Sequence, residues 1–298
     1  MPFKVLDKDA WKKGVSRTLI VGPPNSLKTS SIATWPRDTH WISYPGEKGH
    51  SSIPADEPGI HAYVWEADDL AKFSPSAVIT EIEKLTIEIL TLKHGPIVTF
   101  AGDGLHKLYE FYFLQELAAL KQVFGGSSEF SGATDEELEE KLSGKAYGRA
   151  HSSFKHYLDI IGFSSVQHAV FTIWDGEEKD NPDNKRGGSS HVFPDLPGKM
   201  ARRIMGEFPI VLAAKVSLPD PQGRVNGTWQ TRPGGKIWGA GIKVPPEVAK
   251  RIPAEVPQNW PALYNLIVNE PVVQPKPTAP GPMPGPNPMH PPKPVIKS

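Results

Sequence analysis

From Arg17 onward the chain alternates short apolar runs with stretches of helical periodicity. Residues 17–21 (RTLIV) form an apolar run that ends at a glycine-proline loop, and residues 29–34 are expected to begin the helix after it. Residues 39–44 (THWISY) and 60–65 (IHAYVW) are the next two predicted strands. Ser74-Pro75-Ser76 then gives an N-cap followed by a proline at the first helical position. Val78, Ile82, Leu85, Ile89 and Leu92 recur at helical spacing as one core-facing stripe, which residues 94–96 (HGP) end.

Residues 97–101 (IVTFA) read as a buried strand and 104–122 as an aromatic-rich helix, with a flexible break at 125–131. Thr134 and Glu137 form a capping box that opens a short acidic helix, and 146–161 form another. Residues 168–174 (HAVFTIW) are a further buried strand, followed by a long polar loop at 175–190, a length typical of functional or mobile segments. Residues 209–216 and 227–232 are late strands. Strands alternating with helices imply an α/β domain with a mainly parallel central sheet flanked by helices.

Beyond residue 269 the pattern stops. The last 28 residues hold eleven prolines and almost no large apolar side chains, so they cannot bury enough surface to offset their ordering entropy. The expectation is a folded domain over 1–269 and a disordered, proline-rich tail over 270–298. That tail is either a solvated extension or a docking segment for a proline-binding partner.

Composition narrows the class. Lys+Arg and Asp+Glu balance at 33 each, so the chain is not a globally basic nucleic-acid binder and any such contact needs a local patch. No apolar run is long enough for a membrane span, and the first residues lack the apolar core of a secretion signal. The absence of cysteine excludes disulfides and thiolate metal sites and fits a cytoplasmic protein.

The candidate chemistry lies in GPPNSLKTS, Gly22, Pro23, Pro24, Asn25, Ser26, Leu27, Lys28, Thr29 and Ser30. The phosphate-binding loop pattern is G-x-x-x-x-G-K-[ST], and it requires a strand before it and a helix after it. Here the flanking pattern supplies both. Lys28 is placed to reach the β- and γ-phosphates of ATP, and the Thr29 hydroxyl to hold Mg²⁺. An acid at the end of a neighbouring apolar strand is also needed to position the ion, and Asp103 follows IVTFAG at that point. Leu27 is the departure, because it replaces a glycine whose missing Cβ lets the backbone approach phosphate. The expected consequence is a wider or strained loop costing about 1–3 kcal/mol and weaker nucleotide binding.

With these motifs in this order, the chain resembles RecA-like P-loop ATPases, above all the compact phage ATPases of the recombination and single-strand-annealing type. The resemblance covers about residues 17–243. It implies that Glu47, in HWISYPGEKG, orients or deprotonates the attacking water, and that Asp103 serves Mg²⁺. Thr172 and Asp175, in AVFTIWD, match the polar sensor near the γ-phosphate, and PDLPGK at 194–199 is typical of the phage branch. Arg232 and Lys236 match the region from which a neighbouring subunit completes the site, implying a ring or filament of identical chains. Lys185 and Arg186 in the long loop, with Lys145 and Arg149, are the implied contacts to single-stranded DNA. The implied setting is the cytoplasm of a phage-infected bacterium.

Two readings stay open on the sequence. One is an Mg²⁺-dependent ATPase acting on single-stranded DNA in phage recombination or replication. The other is a non-catalytic, nucleotide-gated module whose degenerate loop and proline tail serve a partner. The ten histidines carry no metal expectation, since His40, His50 and His61 are scattered over different elements without tight ligand spacing. The tryptophans are assigned to packing, with Trp174 set apart because it ends a strand beside the candidate site.

Overall fold

The strand that leads into the glycine-proline loop is apolar on both faces. β1 (Ser16–Gly22) sends Leu19 and Val21 into one core and Ile20 into the other, as the two-residue period of a strand requires. A strand of this kind needs a covering layer on each side, and the chain supplies both. The computed structural model describes residues 16–53, 56–65, 70–92, 97–125, 127, 132–177, 192–197, 200–233 and 240–268.

After β1 come α1 (Lys28–Ile32), β2 (Thr39–Ser43), a 3₁₀ turn (Gly49–Ser52), β3 (Ile60–Val64), α2 (Pro75–Leu90), β4 (Thr99–Asp103) and α3 (Leu105–Phe124). The chain continues through α4 (Asp135–Gly162), β5 (His168–Glu177), β6 (Val192–Pro194), α5 (Met200–Glu207), β7 (Ile210–Val216) and β8 (Gly227–Gln230). It closes with β9 (Gly241–Ile242), α6 (Pro246–Arg251), β10 (Glu255–Pro257) and α7 (Trp260–Val268).

The strand order is β10-β8-β7-β1-β5-β4-β2-β3, with β6 attached to β5 and β9 to β7. From β7 to β3 the strands are parallel, whereas β8 runs antiparallel to both its neighbours, β7 and β10. β1 and β4 are not neighbours, because β5 lies between them with Thr172 opposite both Ile20 and Asp103. The chain leaves β1 towards β2 on one side and reaches β7 on the other only after β5. The loop after β1 therefore opens where the winding direction reverses, the crevice in which α/β sheets bind ligands. This is an α/β architecture with a mainly parallel central sheet flanked by helices.

One core joins the sheet to α2, α3, α4 and α5 through residues such as Val78, Leu108, Phe154 and Ile204. The other holds Ile32, Trp35, Trp229, Trp260 and Leu263 between the sheet and α1 and α7. Trp35 stacks on Trp260 at 4.7 Å between ring centroids and meets Trp229 edge-on at 5.4 Å. Such pairs add about 0.5–1.5 kcal/mol each beyond their buried area. The C-terminal segment also braces the glycine-proline loop: Gln258 Nε2 donates to the Ser26 carbonyl at 2.9 Å, and the Trp260 N–H donates to Thr34 Oγ1 at 2.9 Å.

Some boundaries differ from the sequence expectation. The acidic helix opened by the Thr134 capping box and the helix expected at 146–161 are one continuous α4. Leu138, Leu142, Ala146, Ala150 and Phe154 bury one unbroken stripe along it. That burial outweighs the cost of about 1 kcal/mol for each interior glycine, Gly144 and Gly148. α2 ends at Leu90, leaving Leu92 outside the helix and 39 % exposed. β5 runs on to Glu177 because β6 pairs with its end. Among the described residues, no helix is long and apolar enough to cross a membrane.

Candidate functional site

The C-terminal ends of β1, β5, β4 and β2 lie side by side, and the residues just past them line a cleft of about 460 Å³. Gly22 ends β1 where a Cβ would lie 2.9 Å from the Ala214 carbonyl oxygen and 2.9 Å from Ser26 Oγ. Pro23, Pro24 and Asn25 form the exposed rim, and Ser26 is buried. Asn25 and Leu27 both take left-handed backbone, with φ of 62° and 61°. At Leu27 the loop thus keeps a conformation suited to the glycine of the pattern while carrying a leucine, which costs about 1–2 kcal/mol. The departure from the pattern at Leu27 thus takes the form of a positive φ.

Lys28 is only 6 % exposed. Its ammonium folds back over the loop, donating to the Gly22 carbonyl at 2.7 Å, the Pro23 carbonyl at 2.6 Å and Ser26 Oγ at 3.3 Å. Burial pulls its pKa down to about 8, against the opposing pull of Asp103, Asp175 and Glu47. A desolvated cation whose hydrogen bonds among the described residues go to neutral oxygens gains from an incoming anion.

Thr29 and Asp103 meet across 74 positions of sequence. The Thr29 hydroxyl donates to the two carboxylate oxygens at 3.1 and 3.0 Å, and Asp103 is 2 % exposed. Thr172 Oγ1, from β5, donates to the same carboxylate and accepts the Gly104 N–H at 3.1 Å. Thr172 therefore orients Asp103 through direct contact. Thr29 and Asp103 offer oxygen donors only, the ligand type that Mg²⁺ takes. Gly49 closes the pair from the other side, where a Cβ would lie 2.4 Å from Asp103 Oδ2 and 2.6 Å from Thr29 Oγ1.

Glu47 follows β2 and lines the cleft with its side chain 8 % exposed. Burial raises its pKa to about 7, Asp103 adds to the rise, and Lys28 and Lys107 oppose it. His106 Nε2 lies 3.2 Å from Glu47 Oε1, yet neither atom has a hydrogen-bond partner among the described residues. Burial holds the His106 pKa down to about 3, so the pair is a carboxyl beside a neutral imidazole rather than an ion pair. Glu47 also explains Gly104. That residue has φ of 89°, and a Cβ there would fall 2.1 Å from Glu47 Cγ.

Of the residues expected from the sequence, Gly22 to Ser30, Glu47, Asp103 and Thr172 gather at this end of the sheet. Lys145 and Arg149 do not flank a helix start. They lie within α4, Lys145 over the Phe124 ring at 4.9 Å and Arg149 paired with Glu116 at 2.7 Å. Arg232 follows antiparallel β8 and thus lies towards the opposite end of the sheet, its guanidinium donating to the Ala249 and Ile252 carbonyls. Lys185, Arg186, Lys236 and the tail from 270 lie outside the described residues.

Sequence reasoning missed Gly49, Gly104 and His106. The GDG run around Asp103 was the available signal, because only a close approach or a positive φ calls for glycine on both sides of one acid. Trp174, opposite Gly22 in the sheet, packs on His106 at 4.6 Å and divides the cleft from a second cavity of about 230 Å³.

No family model and no curated protein sequence matches the chain. Among solved structures it is similar to the assembled ATPase EscN of the enteropathogenic E. coli type III secretion system. The identity is 12 % and the TM-score 0.39, over 67 % of this chain and 43 % of that one. It is also similar to the flagellar accessory protein FlaH of Methanocaldococcus jannaschii, with 8 % identity and a TM-score of 0.30, over 76 % and 84 %. This chain thus spans less than half the length of the EscN chain it matches.

Proposed function

We propose that the cleft binds Mg²⁺-ATP and hydrolyses its terminal phosphate. The observation that carries this reading is the convergence of Lys28, Thr29, Glu47, Asp103 and Thr172, drawn from four strand ends, on one crevice. Thr29 and Asp103 would hold Mg²⁺, which when bound neutralises phosphate charge. Lys28 exchanges its loop carbonyls for phosphate oxygens and stabilises the charge that develops on them. Glu47, with a pKa near neutrality, accepts the proton of the attacking water. Its buried Oε1, with no hydrogen-bond partner among the described residues, suits that task.

A second reading, a nucleotide-gated module with slow turnover, draws on Leu27 and on the inward-turned Lys28. Action on single-stranded DNA in phage recombination or replication, in a homo-oligomeric ring or filament within the infected cell, is proposed on the family resemblance alone. Recruitment of a partner by the proline-rich tail is proposed on its composition.

Calorimetric titration of ATP with Mg²⁺ tests the binding half. Wild type is expected to bind, and Lys28→Ala to lose most of the affinity while keeping its fold. Equal affinity in both removes the proposal.

A further inference from the structure

At the other end of the sheet, parallel pairing brings together residues that are far apart in sequence. His40 is the second residue of β2, and His61, the second residue of β3, lies directly opposite it. Asp38 precedes β2 and shares the face of His40, two positions on. The ligand atoms of Asp38, His40 and His61 all lie within 4.8 Å of one another. His61 Nε2 is 3.1 Å and His40 Nε2 3.6 Å from the same Asp38 Oδ1, and the two imidazoles stack at 4.6 Å between centroids. The histidines that looked scattered in sequence are thus adjacent, because strand register rather than spacing sets their distance.

We propose that Asp38, His40 and His61 form a binding site for a divalent transition metal of the Zn²⁺ class. Two imidazoles and one carboxylate are the donors such ions select, whereas Mg²⁺ prefers oxygen alone. The supporting contacts are those of a metal site. Tyr63, two residues after His61 and on the same face, holds its hydroxyl 3.1 Å from His40 Nδ1. With Nδ1–H donating to that oxygen, the Nε2 lone pair of His40 is left facing Asp38, as a partner behind a metal-bound imidazole commonly ensures.

The backbone beneath is fixed. The Asp38 carbonyl accepts the Thr99 N–H at 3.1 Å, the Thr39 N–H donates to the Gly59 carbonyl at 2.9 Å, and Arg37 bridges to Glu57 at 2.6 Å. His40 is buried, while His61 and Asp38 are about half exposed, with side-chain exposures of 53 % and 49 %. An ion therefore has a route in from solvent, and two of its three ligands can adjust by rotamer changes alone. β3 is the last strand of the sheet, and an ion bound across β2 and β3 would tie that edge down. The site needs neither ATP nor the residues of the cleft.

The test is titration of the full chain with Zn²⁺ against a chromogenic chelator, for wild type, His61→Ala, Asp38→Asn, Tyr63→Phe and Lys28→Ala. His61 and Asp38 are exposed enough to change without unfolding the chain, and circular dichroism checks that they have not. Wild type is expected to bind Zn²⁺ in the presence of millimolar Mg²⁺. Loss of the ligand in His61→Ala or Asp38→Asn should weaken the site about 100-fold. Tyr63→Phe should weaken it about tenfold, as removal of a supporting contact does. Lys28→Ala should match wild type. Absence of Zn²⁺ binding in wild type, or equal binding in wild type, His61→Ala and Asp38→Asn, overturns the proposal.

Discussion

The two ends of the parallel sheet are built by different means. At the C-terminal ends of the strands, Lys28, Thr29 and Glu47 sit just beyond β1 and β2, Asp103 ends β4, and glycines let the neighbouring loops come close. Gly22, Gly49 and Gly104 each stand where a Cβ would meet a neighbour at less than 3.0 Å. At the N-terminal ends, Asp38, His40 and His61 lie on or beside the strands themselves and are placed by register. The donors differ too. The cleft offers a lysine and oxygens, suited to phosphate and Mg²⁺, and the far edge offers imidazoles. Loops can bring distant groups around a mobile anion, whereas register fixes what lies directly opposite, as it also does for Asp103 and Thr172 within the cleft.

The strongest way to break this contrast is at Asp103, where Thr29 and Thr172 both donate. Asp103→Asn keeps the shape but removes the charge that would hold Mg²⁺. Mg²⁺-dependent ATP hydrolysis is expected to fall on the order of 10³-fold, equal to several kcal/mol of lost stabilisation. Zn²⁺ binding at the far edge should not change. Steady-state turnover with titrated Mg²⁺ checks the first claim, and a variant that retains wild-type turnover removes Asp103 from the metal site.

The next effect concerns close approach. Gly104→Ala places a Cβ inside Glu47 and asks alanine to hold a φ of 89°. The strain is about 1–3 kcal/mol, and displacement of Glu47 adds a loss of turnover. Thermal melting and hydrolysis should both register it. A melting temperature equal to that of wild type would show that the loop after β2 yields freely.

The smallest effect is at Leu27, whose φ of 61° suits glycine. Leu27→Gly relieves about 1–2 kcal/mol of left-handed strain. If that strain is greater in the bound loop, ATP binds up to about tenfold more tightly. Unchanged or weaker binding by calorimetry means that this loop is adapted to leucine.

The same contrast explains what could be read from the sequence. The cleft was legible because GPPNSLKTS and TFAGDGL are local patterns whose meaning depends on the strand before them and the helix after them. The core strands were legible for a similar reason, since short apolar runs such as Leu19–Val21, Ala169–Phe171 and Ile210–Ala214 announce burial. Strand neighbours were not legible, and so His40 and His61 seemed unrelated. Nor was the inward fold of Lys28, which depends on where the loop turns the Gly22 and Pro23 carbonyls. β6, β9 and β10 span two or three residues each, too short for any period to show. The continuity of α4 was hidden by Gly144 and Gly148, although the apolar stripe runs straight through them.

Glu47 gives the most direct test. Its pKa of about 7 lies above the ordinary 4.5, so between those values the folded chain holds a proton that the unfolded chain releases. Stability therefore falls as pH rises through that window, while the fraction of Glu47 able to accept a proton grows. The decisive measurement is ATP turnover by wild type and Glu47→Gln from pH 5 to 8, with ATP binding followed in parallel. The account predicts that wild-type turnover rises with pH to a plateau just above about 7, with a tenfold change for each unit well below it. Glu47→Gln should bind ATP as wild type does, yet turn over at least about 100-fold more slowly with no such rise. Wild-type turnover in Glu47→Gln would contradict the assignment of this cleft as a hydrolytic site centred on Glu47.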